Sequence, residues 1–78
     1  MNITLNGNAH AVGAGASVTT LVSEVTGRDL AANGHATDGQ RLGVAVARNA
    51  EVVPRSLWHS TALAEGDEIE LVTAVQGG

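Results

Sequence analysis

EGDEIELVTAVQGG, residues 65–78, is the stretch that decides the fold. A turn at Gly66-Asp67 begins a strand in which Ile69 and Leu71 share one face and the intervening glutamates share the other. Such alternation is typical of a strand with one buried face. The sequence therefore predicts that this strand is held in a sheet.

The tail that follows, residues 74–78, has no comparable means of being held. Gly77 and Gly78 have no side chains to pack, and glycine loses more backbone freedom than any other residue when it is ordered. We therefore expect a flexible tail that carries the terminal carboxylate of Gly78 away from the body of the domain.

Length and composition exclude several classes of protein. A chain of 78 residues with 44% apolar residues forms one domain, residues 1–78, with a small core. It has no cysteine for a disulfide or a thiol site, no apolar run that could cross a membrane and no leader, so we expect a cytoplasmic protein with no membrane partner. The net charge of −4, without a basic stripe, argues against a nucleic acid partner.

The first twelve residues predict a β-hairpin. Ile3 and Leu5 alternate with polar residues. Asn6-Gly7 is the pair most typical of a type I′ turn, because both central residues of that turn have positive φ. A short second strand over residues 8–12 follows.

A helix is predicted after this hairpin. Ser17 has the hydroxyl of an N-cap residue, and Gly27 is suited to end the helix in the left-handed conformation. Apolar residues between them follow the i, i+3, i+4, i+7 spacing of one buried face. They are Val18, Leu21, Val22 and Val25.

Residues 28–42 show no apolar periodicity. Asp29 to Asn33 are compatible with a turn or two of helix, and residues 34–40 are polar and rich in glycine. Because nothing in this segment completes a chemical site and residues 34–40 lack apolar anchors, we expect a flexible loop there.

Two more strands precede the last one. Val44 and Val46 alternate with alanines and should point inward. Asn49-Ala50 predicts a turn into a short strand over residues 51–53, which Pro54 confines to a sheet edge or ends. A short helical turn at residues 55–58 and the return of Leu63 to the core lead to the final strand.

The order of elements is therefore β-β-α-β-β-β. A right-handed crossover through the helix places the last strand parallel to the first, in the middle of the sheet. We thus predict an α+β domain in which a mixed sheet packs on one main helix, the β-grasp or ubiquitin-like fold. The predicted core consists of Ile3, Leu5, Val22, Val25, Val44, Val46, Ile69 and Leu71.

The residues suggest no catalytic or metal site. The histidines, His10, His35 and His59, lie on three different elements, and no second type of metal ligand falls at a useful spacing. No serine has a histidine and a carboxylate that the sequence places beside it.

Two groups of residues each have two interpretations. The acidic residues of the segment 65–70 form either a solvated face or a patch that steers a basic partner. Trp58 either closes the end of the core or faces a partner together with Arg55.

Two motifs taken together point to a family. The block N-x-E-V-V-P-R-S-x-W at residues 49–58 and the chain end at residues 66–78 closely resemble the bacterial thiamine-biosynthesis sulfur carrier proteins. The resemblance extends over all five strands and the tail. The segment 28–42 looks longer than is usual in that family.

The resemblance implies a ubiquitin-like co-substrate rather than an enzyme. In that family the terminal glycine, here Gly78, is adenylated by an ATP-dependent, E1-like adenylyltransferase and converted to a thiocarboxylate. Thiazole synthase then takes the sulfur for the thiazole ring of thiamine. The chain itself would bind no cofactor, since ATP and the sulfur donor are used by the partner.

The residue types themselves suggest which parts of this chain would meet such a partner. The tail residues that would enter the active site are Gly77, Gln76 and Val75. The candidate contacts on the body of the domain are Glu68, Glu70, Val72, Arg55 and Trp58.

Three alternatives remain at this point. The small subunit of molybdopterin synthase has the same fold and the same Gly-Gly end, but it tends to carry aromatic residues in the last strand and lacks the block at residues 49–58. The chain could also be a covalent modifier that joins Gly78 to lysines of target proteins. The third alternative is an interaction module whose last two glycines are incidental.

Overall fold

A computed structural model describes residues 1–39 and 42–73 of the chain. Within these residues the elements follow the predicted order, and the fold class is confirmed. The predicted flexible tail, residues 74–78, lies outside the described residues. The strands are β1 (Asn2–Leu5), β2 (Asn8–Ala11), β3 (Val44–Arg48), β4 (Glu51–Val52) and β5 (Glu68–Thr73); the helix is α1 (Val18–Thr26), and Arg55–Leu57 form a 3-10 turn.

The strands form one mixed sheet in the order β2-β1-β5-β3-β4. β5 lies in the middle, parallel to β1 and antiparallel to β3, as the right-handed crossover predicts. β4 lies at an edge and ends two residues before Pro54, whose missing amide cannot donate to a neighbouring strand. The last strand is therefore held by neighbours on both sides.

Two tight turns connect the antiparallel pairs. Asn6 and Gly7 have φ values of 49° and 84°, and Asn49 and Ala50 have φ values of 50° and 69°. Both pairs have the positive φ that a type I′ turn requires, which confirms the predicted hairpins. Both first positions are asparagine, a residue that tolerates the left-handed region better than most.

The ends of α1 are those the sequence predicts. The Ser17 Oγ accepts a hydrogen bond from the Thr20 N–H at 3.3 Å, and the Thr20 hydroxyl accepts one from the Ser17 N–H at 3.3 Å. Gly27, at φ 71°, donates its N–H to the Ser23 carbonyl and ends the helix.

The core lies between α1 and the sheet, with Trp58 as its largest buried side chain. Val18, Leu21 and Val22 are buried, but Val25 is 44% exposed, so its assignment to the core is wrong. The spacing of apolar residues predicts the direction of a helical face, not how far its packing partner extends, and Val25 lies in the last turn. The predicted core residues of the sheet are Ile3, Val44, Val46, Ile69 and Leu71, which are buried, and Leu5, which is partly buried against them.

The described part of the segment 28–42 has more structure than the sequence suggests. Leu30 and Ala36 form an isolated β-bridge, and no helix forms at residues 29–33. Ala36 is 8% exposed, which corrects the expectation that residues 34–40 lack an apolar anchor. Arg28 and Asp38 form an ion pair at 3.1 Å. The flexibility of this loop stays a prediction.

A search of the described helices finds none that is long and apolar enough to span a membrane.

Candidate functional site

The candidate site is the C-terminal end of β5, where the chain passes into the tail. Thr73 pairs with Val44 and Val72 with Ala45, so β3 accompanies β5 to its last residue. On the other side, pairing with β1 ends at Leu5 and Ile69. The tail residues Val75, Gln76, Gly77 and Gly78 lie outside the described residues, so their roles stay predictions.

The side chain of Asn6 bonds to β5 beyond the point where pairing with β1 ends. The Asn6 Oδ1 accepts a hydrogen bond from the Leu71 N–H at 2.9 Å, and the Asn6 Nδ2 donates to the Leu71 carbonyl at 3.1 Å. If β1 continued parallel to β5, backbone groups of β1 would make these two bonds to Leu71. The sequence identified Asn6 as a turn residue but did not indicate this contact with a residue 65 positions away.

The other end of β5 is held by a buried carboxylate. Asp67, only 6% exposed, accepts hydrogen bonds from the Arg48 Nε at 2.8 Å, the Ala64 N–H at 2.8 Å and the Asn49 Nδ2 at 3.1 Å. Burial by itself raises the pKa of Asp67, but these three hydrogen bonds and the Arg48 charge outweigh it, and the pKa lies below its ordinary value. Asp67 therefore has a structural role and does not belong to an exposed acidic patch.

The face of β5 that points away from the core combines charge with apolar surface. Glu68 and Glu70 are exposed, and Val72 beside them is 60% exposed. Ala47 pairs with Glu70 on one side and with Val52, 77% exposed, on the other. Exposed valines beside carboxylates form a surface on which a partner with apolar and basic groups can dock. We call Glu68, Glu70, Val72 and Val52 the outer face.

A shallow depression of about 630 Å³ adjoins the outer face. It is lined by Thr4, Asn6, Gly7, Glu68, Ile69 and Glu70. A larger depression of about 780 Å³ lies between α1 and the 28–42 loop and includes no residue of β5. Because no residue of β5 lines it, we do not assign it to the candidate site.

Trp58 and Arg55 do not belong to the partner-facing surface. Trp58 is 1% exposed, and its Nε1 donates to the Val53 carbonyl at 2.9 Å, so the interpretation as a core residue holds and the partner-facing alternative is wrong. The Arg55 guanidinium lies 4.8 Å from the centre of the Trp58 ring. It donates hydrogen bonds to the carbonyls of Gly34, Leu42 and Val44, so the backbone of the domain itself uses its donors.

The block at residues 49–58 therefore stabilises the fold. Asn49 contacts the beginning of β5, Arg55 contacts the beginning of β3 and Trp58 fills the core. Val44 is also the residue that pairs with Thr73. The block thus supports β5, from which the tail leaves, and its neighbour β3.

The histidines form no reactive group with their surroundings. His10 Nε2 lies 3.3 Å from Glu24 Oε1, at ion-pair distance but without hydrogen-bond geometry. This contact joins β2 to α1 and includes no residue of β5. Over residues 1–39 and 42–73, no three residues with ligating side chains lie close enough together to hold a metal ion.

Comparison with known proteins identifies relatives. The model of the ThiS family matches residues 3–78. The crystal structure of thiamine biosynthesis protein ThiS from Geobacter metallireducens is similar, with 28% identity, a TM-score of 0.68 and complete coverage of both chains. The solution structure of a thiamine biosynthesis protein from the same organism has 29% identity and a TM-score of 0.70, covering 100% of this chain and 88% of that one.

A third structure shares the fold alone. SAMP1 from Haloferax volcanii is 24% identical, with a TM-score of 0.54 over 99% of this chain and 97% of that chain. No curated protein matches the sequence of the chain significantly.

Proposed function

Since the chain belongs to the ThiS family, we propose that it carries sulfur on its C-terminal carboxylate for the biosynthesis of thiamine. A ThiS-family chain is a small sulfur carrier rather than an enzyme. The finer proposal is that Gly78 becomes a thiocarboxylate and that this sulfur enters the thiazole ring.

The observation that carries the proposal is the position of β5. This strand lies in the middle of the sheet, its pairing with β3 continues to Thr73, and the family match continues to residue 78. A rigid strand followed by five residues that end in Gly77-Gly78 is suited to present a chain end to another protein. The glycines let that end enter a narrow site that a Cβ would obstruct.

The chemistry requires partners. A carboxylate is a poor electrophile, so an ATP-dependent, E1-like adenylyltransferase first joins the Gly78 carboxylate to the α-phosphate of ATP and releases pyrophosphate. Hydrosulfide from a sulfur donor then attacks the acyl carbon and AMP leaves, which yields the thiocarboxylate after loss of a proton. Thiazole synthase receives the sulfur. ATP and the sulfur donor belong to the partners, the chain binds no cofactor, and the reactions take place in the cytoplasm.

The outer face is the surface that we assign to partner docking. Glu68 and Glu70 supply charge along β5 and Val72 supplies apolar area near its end, while Val75, Gln76 and Gly77 enter the active site. Arg55 and Trp58 are not assigned to the outer face, because their side chains donate hydrogen bonds to backbone carbonyls of the domain itself.

Intact-mass spectrometry tests the proposal. The protein is incubated with the adenylyltransferase of its host, ATP and a sulfur source. It should gain the mass difference between one sulfur and one oxygen, and alkylation of the new sulfur should map to Gly78. A chain without Gly78 should fold normally and acquire no sulfur. Equal sulfur incorporation in the truncated chain would refute the proposal.

A growth assay distinguishes thiamine from molybdenum-cofactor biosynthesis. A host strain without the protein should require thiazole or thiamine and keep active molybdoenzymes. Loss of molybdoenzyme activity with normal growth on thiamine-free medium would contradict the assignment.

A further inference from the structure

We propose that Asn6 is the positioning residue for the C-terminal tail. Its side-chain amide holds Leu71, two residues before the end of β5, and so sets the direction in which the tail leaves the domain. This inference rests on the proposed function, since a defined direction matters only if the tail must enter a partner's active site.

The geometry of the β1–β2 turn explains why a side chain is needed. The Asn6 N–H still donates to the Ile69 carbonyl at 2.9 Å, as a residue of a parallel strand does. At Gly7, with φ 84°, the backbone turns away toward β2. No backbone group of β1 therefore reaches Leu71, and the Asn6 amide supplies the missing donor and acceptor, because a carboxamide carries the same pair of groups as a peptide unit.

The Asn6–Leu71 contact is the last one on this side of β5. Beyond it, Val72 and Thr73 pair with Ala45 and Val44 of β3 on the opposite side. A strand end held from one side can separate from the sheet more readily than one held from both sides. A separated end would let the tail leave in many directions, and binding to a partner would then cost more conformational entropy.

The chain contains a matched control at the other end of the same strand. Asn49 occupies the first position of the β3–β4 turn at φ 50°, close to the 49° of Asn6. Its Oδ1 accepts from the Glu68 N–H at 2.9 Å, and its Nδ2 donates to the Asp67 carboxylate at 3.1 Å. Asn49 and Asn6 thus share residue type, turn conformation and contact with β5, but Asn49 lies at the end remote from the tail.

The experiment compares Asn6→Gly with Asn49→Gly. Glycine keeps the positive φ of each turn and removes the side-chain bonds. Adenylation by the host's own adenylyltransferase is measured with ATP in excess, at a temperature at which all variants are folded. Asn6→Gly should raise the KM for the carrier about five- to tenfold, the effect of two lost hydrogen bonds, and change kcat by less than about twofold. Asn49→Gly should change both constants by less than about twofold.

Asn6→Asp is the second variant, and it serves if Asn6→Gly does not fold. The aspartate keeps an acceptor for the Leu71 N–H but places its other oxygen against the Leu71 carbonyl, so KM should rise here too. An unchanged KM in the Asn6 variants would overturn the proposal. An equal rise in Asn49→Gly would also overturn it, because the effect would then be one of general destabilisation.

Amide exchange separates this proposal from the proposed function. The amides of Leu71 and Val72 should exchange at least about threefold faster in Asn6→Gly than in Asn49→Gly. If the wild type is not adenylated at all, the proposed function fails, and this comparison alone decides whether Asn6 holds the root of the tail. Equal exchange in the two variants would overturn the inference whatever the adenylation result.

Discussion

Asp67 shows how a single polar residue organises the strand that precedes the tail. The sequence places it in a turn among other acidic residues, yet it is buried and bound to Arg48, Asn49 and Ala64. Buried carboxylates of this kind stabilise a fold because several donors favour the charged form. The bonds from Arg48 and Asn49 join the residue before β5 to the end of β3 and the turn that follows it.

We expect this carboxylate to contribute to acid sensitivity. Its pKa is lower in the folded protein than in the unfolded chain, where it is about 3.9. Its stabilising contribution is therefore complete above that value and is lost as the pH falls below it through the lower folded pKa. Asp67→Asn should reduce the free energy of unfolding at pH 7 by about 2 kcal/mol and flatten its decline below about pH 4.

Urea denaturation between pH 2 and pH 7 measures both effects. Glu68→Gln is the control, because this neighbouring carboxylate is exposed and its replacement should change stability by less than about 0.5 kcal/mol. An acid limb as steep in Asp67→Asn as in the wild type would show that another group is responsible.

Among the elements, β5 depends most on its buried side chains. Leu71 is buried and Val72 next to it is mostly exposed. Leu71→Ala should lower the free energy of unfolding by about 2–5 kcal/mol, since it leaves a cavity in a small core. Val72→Ala should lower it by less than about 0.5 kcal/mol. Similar losses in the two variants, measured by chemical denaturation, would mean that the register of β5 is wrong.

The 28–42 loop allows a second test at this scale. Gly34 has φ 83°, and a Cβ there would collide with the side chain and carbonyl of Arg55. Gly39 has a similar φ of 76° with open space around it. Gly39→Ala should therefore cost only about 1–2 kcal/mol for the positive φ, whereas Gly34→Ala should cost clearly more.

Thermal or urea unfolding of the two loop variants measures the difference. A larger loss in Gly34→Ala would show that the loop packs on Arg55 in solution. Equal losses would indicate that this contact is absent there, in agreement with the flexible loop that the sequence predicts.

The elements also show what could be predicted from sequence. Alternation predicted the burial of Val44, Val46, Ile69 and Leu71, because successive side chains of a strand point to opposite faces. The exposure of Val25 could not be predicted in this way, because it depends on how far other elements extend along the helix. The contact of Asn6 with Leu71 joins residues 65 positions apart and leaves no periodic signal.

At the scale of the whole molecule, the two faces of the sheet differ in their surroundings. One face packs on α1, and the other exposes Glu68, Glu70 and Val72 along the strand that leads into the tail. The site could be predicted in part, because the Gly-Gly end and the alternating glutamates are visible in the sequence. The exclusion of Trp58 and Arg55 required the packing, since a lone tryptophan near an arginine fits a core and an interface equally well.

The net charge of −4 acts on any partner, but its distribution should decide how the partner approaches. We expect Glu68→Gln/Glu70→Gln to slow association with the host's adenylyltransferase several-fold at low ionic strength, since both carboxylates lie on the outer face of the strand that leads into the tail. Glu24→Gln/Asp29→Asn removes the same formal charge from α1 and the loop and should have a smaller effect. Stopped-flow association at increasing salt measures both. The difference should vanish near 1 M salt, where the Debye length is about 3 Å, while dissociation changes little. Equal slowing by both double variants would show that total charge, rather than the outer face, directs the encounter.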